Sequence, residues 1–131
     1  MNIRSNKKYG IPQARYRELY YHCLQYPTWK VELDSITEMQ AVNINGMPKG
    51  TLTQDPVSNM AVRRERIRDK ISLIEQIVKE AGGDISEALL IAVTTGATFD
   101  QLKRNGVLFV ERDSFYHRRR VFYWLLDKRL E

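Results

Sequence analysis

The chain has 131 residues, 43% of them hydrophobic and 28% charged, and a formal charge of +5 at neutral pH. That length suits one modest core and excludes two large ones, and a pI near 9.4 favours acidic partners, nucleic acid before an anionic membrane. Cys23 is the only cysteine, and His22 and His117 lie far apart, which leaves neither an intrachain disulfide nor a recognisable zinc set.

No segment approaches the roughly 20 apolar residues of a membrane span, and residues 1–10 lack the apolar run of a secretory leader. The expectation is a cytoplasmic protein with no membrane partner. The charge is unevenly spread. Residues 1–30 hold six Lys/Arg against one acid, residues 31–62 one against four, and residues 112–131 six against three. Two basic ends around an acidic middle suit a protein that meets a phosphate backbone in more than one place.

In chain order, residues 1–10 (MNIRSNKKYG) read as a flexible basic arm. A first helix is expected to open near Pro12, a residue suited to the first turn, with Tyr16, Leu19, Tyr20, Cys23 and Leu24 as its buried stripe. Tyr26-Pro27 interrupts it, and Thr28 is placed to cap a second helix with Trp29, Leu33, Ile36 and Met39 or Gln40 inward. Residues 11–42 thus form a helical pair. Residues 43–54, with two Gly and a Pro, read as the longest loop. Asp55-Pro56 or Ser58 then starts the longest helix, striped by Ile67, Ile71, Ile74, Val78 and Ala81 and stopped by Gly82-Gly83.

A fourth helix, capped by Ser86, is apolar nearly all round from Ala88 to Val93 and should be central; Gly96 stops it. Thr98-Phe-Asp-Gln101 is a capping-box pattern opening a short helix with Phe99 and Leu102 inward, closed by Asn105-Gly106. After a brief apolar linker at 107–110, the last helix is expected to begin at Asp113 or Ser114. The fold class is all-α: a single domain over residues 11–131 of about six helices, in which residues 55–131 supply the long helix and a C-terminal helix-turn-helix.

That last helix is the most informative stretch. Phe115 and Phe122, seven apart, face inward, while Arg112, Ser114, Tyr116, His117, Arg119 and Arg120 fall on or beside its outer face. A helix in the major groove presents its opening turns to base edges, where Arg grips guanine through two hydrogen bonds and Ser, Tyr and Arg steady phosphates. Ser114, as a cap, would also leave backbone N–H groups near a phosphate. Tyr123 and Trp124 read as core or dimer contacts. Residues 63–70 mix Arg and Lys with Glu65 and Asp69, the pattern of an ion-paired solvent face. Lys7, Lys8, Arg63, Arg64 and Thr98 are the secondary candidates for phosphate contact. No convergent acids, nucleophile with its base, phosphate-cradling glycine loop or metal cluster is evident, so no enzyme, cofactor, metal or small-molecule ligand is expected.

Four ordered features resemble a known family: Tyr20-Tyr21 in an opening helix, Asp55-Pro-Val-Ser before a long helix, Thr98-Phe-Asp-Gln-Leu102, and Arg112-Asp-Ser-Phe-Tyr-His-Arg-Arg-Arg120. Together they are similar to small phage and prophage transcriptional regulators of the RinA/ArpU type, whose helix-turn-helix is like that of the sigma-factor C-terminal region. The resemblance covers mainly residues 55–131. It implies a sequence-specific double-stranded DNA-binding regulator in a bacterial host cell, with RNA polymerase as a further partner. Thr98 to Leu102 would form the first helix of the motif, and Ser114, Tyr116, His117, Arg119 and Arg120 the reading helix. The segment between them, from Gly106 to Arg112, is longer than the usual three or four residues. A homodimer is expected, since one such motif covers little DNA. The rival readings are a phage inhibitor of a host nucleoprotein such as a CRISPR effector, and a small DNA-packaging subunit.

Overall fold

The structure, a computed structural model, describes residues 8–46 and 56–130 (with side chains over 8–39 and 59–130). Every regular element among the described residues is helical. In order they are α1 (Gln13–Leu24), α2 (Tyr26–Gly46), α3 (Pro56–Gly82), a single 3-10 turn (Gly83–Ile85), α4 (Ser86–Thr95), α5 (Phe99–Arg104) and α6 (Arg112–Arg129). No described helix is long and apolar enough to cross a membrane. The chain divides into two compact units, one of residues 1–26 and 74–131, the other of residues 27–73.

The first unit is built around α4. Ala88, Leu89, Ala92 and Val93 are buried, and the helix packs against α1, α5 and α6, as its all-round apolar sequence demands. Leu19 and Cys23 of α1, Ile74, Ile77 and Val78 of α3, Phe99 and Leu102 of α5, and Phe115, Phe122, Tyr123 and Leu126 of α6 complete the core. Ile77 was absent from the expected stripe of α3, and Ala81 is only half-buried. Tyr123 resolves as core, its ring 5.0 Å edge-on from Tyr16. Polar clasps tie the elements at their ends. Arg15 donates to Asp127 at 2.6 Å and to the Leu130 carbonyl at 2.5 Å, holding α1 to the end of α6. Arg129 makes a two-pronged pair with Glu80 of α3 at 2.5 and 2.6 Å. Tyr26 donates to Glu75 at 2.5 Å.

In the second unit Trp29, Ile36, Ile67 and Ile71 are buried, and Lys70 sits over the Trp29 ring at 5.4 Å. Met39, one of the two residues offered for the end of that stripe, is exposed, and the other, Gln40, lies outside the residues with described side chains.

Several helix ends differ from the sequence expectation. Pro12 is the N-cap of α1, not a first-turn residue, because its ψ of 144° is extended. Helix α2 begins at Tyr26, so Thr28 lies inside it; Pro27 occupies the first turn, where its missing N–H costs nothing. Helix α2 also runs to Gly46, into the stretch read as loop, since no residue from Asn43 to Gly46 forbids a helix; residues 47–55, with the Asp55 cap, lie outside the described residues. Ser86 is the first residue of α4 and does not cap it. The chain enters from the 3-10 turn and Ile85 holds the cap position without a side-chain hydrogen bond.

Candidate nucleic-acid interface

The short helix α5 is fixed by its own sequence. Thr98 Oγ1 accepts from the Gln101 amide at 3.2 Å while Gln101 Oε1 accepts from the Thr98 amide at 2.9 Å, the reciprocal capping box. Thr98 is thus committed to its own helix start. At the other end Gly106 takes φ +75°, a conformation that suits glycine, and the Val107 amide returns to the Leu102 carbonyl at 3.1 Å. The linker that follows is pinned by Leu108, 1% exposed, while its neighbour Phe109 is 85% exposed.

Helix α6 opens at Arg112. Glu111 is its N-cap, extended at ψ 159° and without a side-chain cap, and its carbonyl already accepts from Phe115 N at 3.0 Å. The expected cap at Asp113 or Ser114 is therefore corrected: both residues lie within the first turn, and Ser114 is half-buried. At about 100° per residue, Arg112, Tyr116 and Arg120 form one row along the helix. Arg112 is exposed, Tyr116 and Arg120 half-exposed. Arg119 lies between that row and the core, its guanidinium 4.8 Å from the Tyr116 ring. Arg112 reaches back across the linker to Asp100 of α5 at 2.9 Å and stacks 4.8 Å from Phe99. Both members of that pair are exposed, so it orients Arg112 and adds little stability.

His117 falls on the adjoining face, apart from this row. Tyr9 packs edge-on against His117 at 5.7 Å and Trp124 at 5.2 Å, with Lys8 over Tyr9 at 5.2 Å and Lys128 over Trp124 at 4.1 Å. Lys8 and Tyr9 of the expected arm are thus placed along α6, and Lys7 lies outside the described residues. Arg63 and Arg64 belong to the second unit, where Glu32 holds Arg63 through Nε at 2.7 Å. That ion pair is the solvent-face reading of residues 63–70, supported also by Arg68–Glu65 at 3.1 Å. Of the predicted residues in the first unit, then, Arg112, Tyr116, Arg119 and Arg120 lie on one side of α6, with Thr98 beside them; Ser114, His117 and Lys8 do not join them.

Two features escape sequence reasoning. Arg118, the first of three consecutive arginines, is taken by the fold: it donates to the Gly82 carbonyl and to Asp84 at 2.5 Å. That hydrogen bond holds the Asp84 carboxyl below its usual range. A groove of about 400 Å³ also runs from α1 past the start of α5 to α6, lined by Tyr16, Arg17, Tyr20, Tyr21, Tyr116 and Arg119 among others. The Tyr16–Tyr20 spacing reads as a core stripe, which hides the groove. Both rings are only half-buried, because phenols tolerate a wet edge. Burial, the largest influence, pushes the Tyr16 phenol upward, so it remains a neutral hydroxyl at physiological pH.

No family model, curated protein or solved structure matches this chain. Its function has to be read from its own side chains.

Proposed function

We propose that this chain is a sequence-specific double-stranded DNA-binding regulator of the phage type, in which α5 and α6 act as a helix-turn-helix and α6 enters the major groove. The observation that carries this reading is the row Arg112–Tyr116–Arg120 on the opening turns of α6, the next helix after the short capped α5. Arginines at the start of such a helix are suited to guanine edges, and the overall charge of +5 favours association with a polyanion. The long linker between α5 and α6 is anchored in the core by Leu108. Ser114 and His117 fall off the row that carries this reading, and Tyr9 packs edge-on against His117. Action on RNA polymerase and assembly as a dimer on a two-fold operator follow from the resemblance and from the small footprint of one motif.

The test is a gel-shift selection of duplexes from a random pool, followed by titration of variants. Arg112→Ala with Arg120→Ala should weaken binding to the selected duplex at least tenfold and flatten its preference over a scrambled duplex, since one bidentate contact is worth about 1–3 kcal/mol. Affinity should also fall steeply with added salt. Undiminished binding by the double variant, with unaltered circular dichroism, overturns the reading.

A further inference from the structure

The tyrosine groove has the composition of an anion-binding surface. Tyr16 and Tyr20 form its half-buried floor, their rings 6.0 Å apart, and Tyr20 and Tyr21 meet edge-on at 5.2 Å. Tyr21, 63% exposed, stands one helical turn beyond the exposed Arg17 on α1, so ring and guanidinium share the outer rim. Arg17 forms no ion pair among the described residues. On the far wall the Arg119 guanidinium stands 4.8 Å from the Tyr116 ring. Among the described residues no carboxylate lines the groove, although 16 acids are spread along the chain. The backbone is shaped to admit this floor: Gly96 bends at φ +77°, and a Cβ there would stand 2.9 Å from the Tyr20 hydroxyl.

Two guanidiniums, several phenol donors and no acid make a surface for phosphodiester oxygens, which accept from both groups. Tyr116, a member of the row on α6, and Arg119 beside it both line this groove, so whatever lies along that row continues into the groove. We propose that the groove seats the sugar-phosphate backbone of the DNA strand that flanks the base pairs read by α6, making α1 a second, sequence-independent wall of the interface. This rests on the reading of α6 above, and its failure can be told apart from the failure of that reading.

The experiment uses the full chain in fluorescence-anisotropy titrations against a duplex selected by the wild-type protein, a scrambled duplex of equal length and the corresponding single strand, across a salt series. Arg17→Ala and Tyr21→Ala both sit at the exposed rim, and melting curves verify that each still folds. Arg17→Ala should weaken binding to both duplexes severalfold by the same factor and lower the slope of log affinity against log salt by about one. Tyr21→Ala should weaken both duplexes equally too. Arg120→Ala should instead erode the preference between them. If Arg120→Ala loses discrimination while Arg17→Ala and Tyr21→Ala bind as wild type with the full salt slope, the groove lies off the DNA and the proposal falls while the α6 reading stands. If all three variants bind as wild type, both fall. A change in the preference between duplexes on Arg17→Ala, or tighter binding of the single strand than of the selected duplex, also overturns the backbone assignment.

Discussion

Burial decides what individual side chains do here. Cys23 is fully enclosed on α1, and desolvation pushes its thiol up to about 12, so the reactive thiolate is scarcely present near neutrality. A thiol-alkylating reagent at mildly alkaline pH should leave Cys23 unmodified in the folded chain and modify it promptly in urea. Rapid labelling of the native protein would contradict the packing of α1. The three arginines from 118 to 120 make the same point with charge. Arg118 is spent on Gly82 and Asp84, Arg119 stands 4.8 Å from the Tyr116 ring, and Arg120 falls half-exposed in register with Arg112 and Tyr116. Arg118→Ala should therefore lower the melting temperature with no change in DNA preference. Arg120→Ala should do the reverse, with stability held within about 0.5 kcal/mol.

At the scale of the element, the linker between α5 and α6 holds two adjacent apolar residues with opposite surroundings. Leu108 is buried and Phe109 is exposed. Leu108→Ala removes a buried side chain and should cost about 2–5 kcal/mol in urea denaturation, whereas Phe109→Ser should fall within about 0.5 kcal/mol of wild type. Equal effects would mean that the linker is not anchored as described. The end of α4 gives a second case. Gly96 is the left-handed C-cap, its amide donating to the Ala92 carbonyl at 2.9 Å. Gly96→Ala should destabilise by about 1–2 kcal/mol from its φ alone, with more lost where the new methyl displaces Tyr20.

For the first unit as a whole, the pairs Arg118–Asp84 and Arg129–Glu80 tie the first half and the C-terminal end of α6 to the segment around the end of α3. Hydrogen bonds from the arginines, the largest influence in each case, hold both carboxyls below their ordinary values. Since these groups bind protons more weakly folded than unfolded, their contribution is fully present above the unfolded carboxylate range of about pH 4. It is lost as pH falls through the depressed folded values. Urea midpoints measured downward from pH 6 should decline across that interval, and Glu80→Gln with Asp84→Asn should remove part of the decline. A double variant with the wild-type pH profile would show that the two clasps add nothing.

Local chemistry was readable from residue order. The capping box of α5 needs only Thr98 and Gln101, and the inward repeat of Phe115 and Phe122 needs only the helical period, so both appear in the sequence as in the fold. The all-helical character follows from the same periodicities and from Gly and Pro at the breaks. The fate of each charge and phenol did not follow, because it is set by partners distant in the chain. Nothing beside Arg118 announces Gly82 and Asp84, and nothing beside Tyr16 and Tyr20 announces that both rings stay half-exposed even with Tyr123 packed against Tyr16. Periodicity specifies which side of a helix turns inward, but only packing decides how far the neighbouring elements close over it. That gap in coverage leaves the tyrosine groove open, just as packing alone binds Arg118 to Gly82 and Asp84.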